Sequence, residues 1–417
     1  MTKNIVILGG GTGGTLVANR AKKVLHDLDV AITVIDQDNE HLYQPGLLFV
    51  PFGLKAPESL VRNRKNQLKR GINFLKAEVV SVDTASNRVH LASGDSISYD
   101  VLVISTGNTL QIEETEGLSG SGWGKNVFTF YTLEGADALN RALAKFSEGK
   151  LVVDIIDVPI KCPVAPLEFC QLADWYFKQK GIRDQIEITL VTPLDGAFTK
   201  PVCNRELSGL LRSKGIEVIT EFNTGQVDGV SKKLVSYDGR EVAYDLAVVV
   251  PLHGGADFVG RSPGLGDELN FVTVDEFTLQ AKVAPNVFAI GDAPNLPTSK
   301  AGSVAHFAGE IVVENIGHYL QGEPLSALFD GHTNCFIESG FHKALLIDFN
   351  YETEPLPGHY PSAIGLPLLR ESKLNHIGKL LFEKLYWYGI LPGRNIPGIK
   401  SLMPRMGKRF ENQEKGS

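Results

Sequence analysis

Cysteine is scarce, with four in 417 residues, too few for a disulfide scaffold. None of Cys162, Cys170, Cys203 and Cys335 stands in a C-x-x-C pair. No Cys/His cluster has zinc-ligand spacing, so no metal site is expected. No run approaches 18 consecutive apolar residues, which excludes a membrane-spanning helix. The first strand pattern, Asn4 to Leu8, is too short for the apolar core of a leader, so no signal peptide is expected. Positive charge is in deficit overall: the formal net charge is −7, and a nucleic-acid partner has no global electrostatic support.

The deficit is uneven. From Arg370 to Arg409 there are nine Lys/Arg against two Asp/Glu, a local net charge of +7. A basic end on an acidic body points to a local anionic partner, and a membrane surface is the obvious one.

Glycine is plentiful, and its clustering is informative. Asn4 to Leu8 reads as a buried parallel strand, Thr15 to Leu28 as a helix, and Ala31 to Ile35 as a second strand ending at Asp36. Between the first two lies Gly9-Gly10-Gly11-Thr12-Gly13-Gly14, a G-x-G-x-x-G turn. In such a unit Gly9 allows the tight turn, Gly11 lets the backbone approach a pyrophosphate, and Gly14 lets helix and strand pack closely. The helix N-terminus faces the phosphates and Asp36 accepts hydrogen bonds from a ribose.

Two later segments separate flavin from nicotinamide. Ile104-Ser105-Thr106-Gly107 resembles the strand-then-A-T-G element of the two-dinucleotide-binding-domain flavoproteins, which marks Thr106 and Gly107. Asn286 to Asp292 resembles their second flavin motif, in which Gly291 precedes Asp292, and Asp292 takes the position that contacts the ribityl chain. The resemblance implies an α/β protein with two Rossmann-like FAD/NAD(P)-type domains. The FAD-binding domain is discontinuous, 1–113 and 263–332. The second domain is 114–262, and 333–417 forms an amphipathic C-terminal region. FAD is the implied cofactor.

The second domain should carry its own glycine loop after the strand at 150–156 if it binds NAD(P)H. The stretch Ile155 to Pro166 contains no glycine and has prolines at 159, 163 and 166, so pyrophosphate cannot approach its backbone. No NAD(P)H is expected to bind there.

Where that loop would be, Lys161-Cys162-Pro163-Val164-Ala165-Pro166-Leu167-Glu168 resembles the K-C-P-x-A-P-x-E element of sulfide:quinone oxidoreductases and the related flavocytochrome c sulfide dehydrogenases. Pro297 to Gly302 resembles their P-x-S-K-A-G/S segment, marking Lys300 and Gly302, and Gly331 to Glu338 resembles the segment bearing their second redox cysteine. The resemblance implies that Cys162 and Cys335 form a redox pair facing each other beside the flavin. Hydrogen sulfide would attack their disulfide, leaving a persulfide, and electrons would pass through the reduced flavin to a quinone. Lys343 and Phe336 take the family's quinone positions. Many members of that family have a third functional cysteine well before the Cys162 position, in some covalently tied to FAD; no cysteine lies in 108–150 here, so FAD is expected to be non-covalent.

Several roles stay open on sequence. Glu168 is either the base near the sulfur or a helix-start carboxylate beside the dipole. Cys203 is either a small buried hydrophobe or a relay thiol. Lys300 and Lys343 either neutralise reduced flavin or quinone, or are solvated. Leu374, Ile377, Leu381, Leu385 and Tyr388 share one helical face, with Lys379, Glu383 and Lys384 off it. That face suits peripheral, monotopic membrane attachment, or packing on its own domain or at a homo-oligomer interface. Alternatives to quinone reduction are a soluble sulfide dehydrogenase donating to a cytochrome, and a flavin-bound sulfur-carrier subunit.

Overall fold

The computed structural model describes residues 1–410; residues 411–417 of the expected C-terminal region lie outside the described residues. The chain opens with β1 (Lys3–Leu8), α1 (Thr12–Val24) and β2 (Val30–Asp36), followed by β3 (Asn73–Lys76) and β4 (Val101–Ile104). Then come β5 (Val127–Phe128), α2 (Leu133–Lys145), β6 (Gly149–Ile155), α3 (Ala165–Gln179), β7 (Ile186–Val191), α4 (Pro201–Ser213), β8 (Ile216–Ile219) and β9 (Leu246–Val250). The rest is built on β10 (Val287–Ala289), α5 (Gly302–Gln321), β11 (Thr333–Gly340), β12 (Lys343–Phe349) and α6 (Lys373–Leu385).

Two parallel five-stranded sheets organise the molecule. The first runs β10-β4-β1-β2-β3 and the second β5-β9-β6-β7-β8. Both are covered on two faces, which is why their strands read as continuous apolar runs rather than alternating ones. All four residues of β4 and all five of β9 are buried. The first sheet recruits β10 from far along the chain, so β1 and β10 flank β4 and their loops converge at one sheet end.

α1 starts at Thr12, three residues earlier than the sequence pattern suggests. The first turn closes directly on the glycine loop, with Thr15 N donating to Gly11 O at 3.0 Å. This aims the unpaired N–H groups of the helix start into the loop rather than past it.

The region after residue 333 is more regular than its prolines suggest. β11 and β12 form an antiparallel hairpin, with Cys335 opposite Ile347. The hairpin packs on α3 and α6. Fully buried Ile337 and nearly buried Leu345 and Ile347 join the main core, each worth about 2 kcal/mol of transfer free energy.

Candidate active site

The ends of β1, β4 and β10, the starts of α1, α3 and α5, strand β11 and the inner face of α6 enclose one elongated cavity. At one end it is lined by Gly9, Gly11 and Asp36, in the middle by Thr106, Gly107 and Asp292, and further on by Cys162 and Cys335. The first end is shaped for a dinucleotide. Gly9 has φ +90°, and a Cβ there would meet Ser105 O at 2.4 Å. A Cβ on Gly14 would lie 1.9 Å from Gly9 O, so only glycine lets α1 approach β1 this closely. A Cβ on Gly11 would meet nothing within 4 Å, which leaves backbone bare to the cavity.

Asp36 accepts from Gly10 N at 2.6 Å and lies 3.1 Å from Arg64 Nη1. Burial raises its carboxyl pKa, against the pull of Arg64. In the middle of the cavity, Thr106 Oγ1 is buried without a hydrogen-bond partner. Asn108 Nδ2 donates to Asp292 Oδ2 at 3.2 Å. The bare backbone at Gly11, the acid ending β2 and the orphaned threonine hydroxyl fit the pyrophosphate, ribose and flavin portions of FAD. The start of α5, from Ala301 to Ser303, also lines the cavity and brings a positive helix end to it.

Lys300 is buried, and its ammonium donates to Asp292 O at 2.8 Å and to Pro294 O at 3.0 Å, stacked 3.8 Å over Phe271. Burial pulls its pKa down to about 8, although the Asp292 charge opposes this. Gly302 lines the cavity beside it.

Cys162 sits on a bend, with φ +48°, a region a non-glycine residue seldom occupies. The bend is held on both sides: Cys162 N donates to Lys300 O at 2.7 Å, and Ala165 N donates to Cys162 O at 2.8 Å. Tyr131 Oη donates to the same carbonyl at 3.4 Å. The loop that replaces a phosphate-binding turn thus hooks onto the segment before α5 and presents a thiol to the cavity. Cys335 reaches it from β11. Burial pushes the Cys162 thiol up to about 12, and the Glu168 charge adds to the shift while Lys379 opposes it. Burial also raises Cys335, which the Cys162 charge raises further. Both thiols are free here. In so dry a site two thiolates are costly, and a neutral disulfide removes both ionisations.

Glu168 stands in the first turn of α3 and is buried. It accepts from Glu338 N at 2.6 Å and is ion-paired with Lys379. Burial raises its pKa more than Lys379 lowers it. It starts a helix and lines the same cavity as Cys162.

Lys343 is not brought to the cavity. It lies exposed at the hairpin turn, at the start of β12. A lysine of the C-terminal region that does line the cavity is Lys379 of α6, which the amphipathic pattern only placed off the apolar face. Its ammonium bonds Glu168 and Phe336 O, the latter at 3.1 Å. Phe336 and Phe382 line the cavity around it. Sequence reasoning also missed Arg64, Asn108 and Tyr386. Tyr386 Oη is within 2.8 Å of Thr12 Oγ1 and 2.7 Å of His41 Nε2, so the segment after α6 closes over the glycine loop. Only a charged residue interrupting an apolar helix hinted at Lys379; nothing local marked the others. Cys203 is fully buried in the main hydrophobic core and is not among the residues lining the cavity.

Two dinucleotide-type sheets, a flavin-shaped cavity and two cysteines within it define a flavoprotein oxidoreductase. A family model described as pyridine nucleotide-disulphide oxidoreductase matches residues 3–158. The mitochondrial sulfide:quinone oxidoreductase of Dictyostelium discoideum is 29% identical over 398 residues, covering 94% of this chain and 86% of its own. That of Mus musculus is 28% identical over 358 residues, covering 84% and 79%. The solved sulfide:quinone oxidoreductase of Aquifex aeolicus shares the fold with a TM-score of 0.80 at 22% identity, covering 94% of this chain and 92% of its own. Over most of its length the chain is thus similar to sulfide:quinone oxidoreductases.

Proposed function

We propose that this protein oxidises sulfide to zero-valent sulfur and passes the electrons to a membrane quinone, with Cys162 and Cys335 as its redox pair and FAD held non-covalently. One observation carries the reading: two cysteines far apart in sequence line the same cavity as the flavin-type elements, one of them on the loop that would otherwise hold a second nucleotide. FAD, when bound, supplies the two-electron acceptor between sulfur and quinone.

The protein's own groups do the rest. Hydrosulfide attacks the Cys162–Cys335 disulfide; the S–S bond breaks, a persulfide forms on one cysteine and the other leaves as thiolate. Lys379, buried beside Glu168, stabilises that negative charge; its attraction to a Cys162 thiolate supports this role. The outer sulfur leaves to an acceptor, and re-forming the disulfide releases two electrons to the flavin. Glu168 holds or accepts the proton near the sulfur.

Phe336, Phe382 and Lys379 form the quinone end, two rings to sandwich it and one ammonium to polarise its oxygen. α6 carries both faces of this task. Lys379 and Phe382 turn inward, while Leu374, Ile377, Leu380 and Leu381 are 50–60% exposed. Exposed Tyr388 extends the apolar face, and Lys373 and Lys384 flank it, as suits a helix lying in a membrane interface. Among the described residues no helix is long and apolar enough to cross a membrane.

The test is anaerobic reduction of decylubiquinone by sulfide with purified holoenzyme. Turnover with sulfide and none with NADH is expected. A flavin that sulfide reduces but quinone cannot reoxidise would sink the quinone assignment.

A further inference from the structure

Reduction of a quinone to a quinol consumes two protons as well as two electrons, and the quinone end of the cavity is walled by buried groups. The proton supply therefore needs a route. Lys379 is the only lysine of α6 turned to the cavity, and one turn before it on the same inward side stands His376. His376 Nδ1 lies 3.1 and 2.9 Å from the two carboxylate oxygens of Glu338. The Glu338 side chain is 2% exposed and that of His376 is 17% exposed, so the pair spans from the interior to the surface. Outside it, the His376 ring meets the ring of exposed His342 at 5.5 Å. Inside it, the Glu338 charge acts on both Lys379 and Glu168, and the Glu338 backbone N–H anchors Glu168.

We propose that His376 and Glu338 form the proton relay that reloads Lys379 during quinone reduction, with His342 at its mouth. The proposal rests on the quinone reading above. Electrons come from the reduced flavin; the relay moves only protons. The Lys379 ammonium gives a proton to the quinone oxygen and becomes a neutral amine. Glu338, holding a proton from His376, returns one to it through a side-chain rotation or a bridging water. His376 is recharged from solvent beside His342. An unpaired carboxylate this deep is costly, and the histidine at the rim gives Glu338 a partner at 2.9 Å. The other charged groups nearby are Glu168 from α3, Lys343 from the hairpin turn, and Lys214, which bonds Ser339 O at 2.9 Å and faces Glu371.

The experiment separates the two half-reactions by anaerobic stopped flow, following flavin absorbance. In His376→Ala, reoxidation by decylubiquinone is expected to slow about 10–100-fold, the usual contribution of a positioned proton donor. The slowing should grow from about pH 6 to 9 as protons become scarce, and added imidazole should relieve it. His376→Gln keeps a donor facing Glu338 but cannot shuttle protons, so it should be equally slow. Reoxidation of both variants at wild-type rates across that range overturns the relay. So does a defect that Gln repairs, which marks packing alone. A wild-type flavin that quinone cannot reoxidise overturns the parent reading itself, before any variant is compared.

Discussion

The two parallel sheets end in loops that do opposite things. After β1 the chain turns through Gly9 to Gly14, where added side chains would strike backbone at 2.4 and 1.9 Å. After β6 it runs through Pro159, Cys162, Pro163 and Pro166, and its bend at Cys162 has φ +48°. The first loop is bare so that phosphate can come close. The second is filled, and what it presents to the cavity is sulfur. The same strand-loop-helix architecture thus ends once in a bare glycine turn and once in a filled loop that carries a cysteine. On the function proposed above, the place where a second nucleotide would bind becomes the place where sulfide delivers its electrons.

The strongest way to break that contrast is to add bulk to the cradle. Gly14→Val places carbon where Gly9 O already lies. Overpacking against backbone costs about 3 kcal/mol. The purified variant should lack the flavin absorbance near 450 nm, a typical flavin band, and melt well below the parent. Retention of a full complement of flavin would show that the close approach of α1 to β1 is dispensable.

Next is the sulfur mount. Cys162→Ser and Cys335→Ser should each retain flavin yet reduce it with sulfide about 10³-fold more slowly, since neither can form the disulfide that hydrosulfide attacks. Because burial holds the Cys162 thiol near 12, reduced enzyme should also react slowly with iodoacetamide at neutral pH. Normal sulfide-dependent flavin bleaching in either serine variant removes the redox pair from the reaction.

The two loops also differ in how legible they were. The glycine cradle was readable because its strand, turn and helix are contiguous in the chain: Gly14 answers a contact with Gly9 five positions back, and the flanking strand and helix follow from periodicity. Cys162 was legible as chemistry because a proline-rich, glycine-free stretch stands where a phosphate loop belongs. Its left-handed backbone was not, since that conformation depends on a hydrogen bond to Lys300, 138 positions on. Lys343 and Lys379 show the same limit. Both are lysines in a C-terminal region of mixed pattern, and only the register of the hairpin and the roll of α6 decide which one faces the cavity. The roll follows from tertiary contacts, with Phe382 packed against the core and the α6 leucines left outside.

The smallest effect tests the outward side of α6, the face proposed above to lie on a membrane. Truncating the region cannot isolate the anchor. It would remove Lys379 from Glu168 and Tyr386 from Thr12 and His41 as well. Point changes on the exposed face avoid this. Ile377 and Leu381 are 50% and 54% exposed, so each loses little on folding but gains on insertion, about 1 kcal/mol per side chain. The double variant Ile377→Ser/Leu381→Ser should partition roughly tenfold to thirtyfold less onto anionic vesicles in a flotation assay, while sulfide still bleaches its flavin at the parental rate. Because the quinone end lies on the opposite side of the same helix, turnover with short-chain decylubiquinone should persist and turnover with a long-chain quinone held in vesicles should fall with binding. Equal partitioning of variant and parent would assign this face to a contact other than lipid, and the joint delivery of quinone and membrane by one helix would be lost.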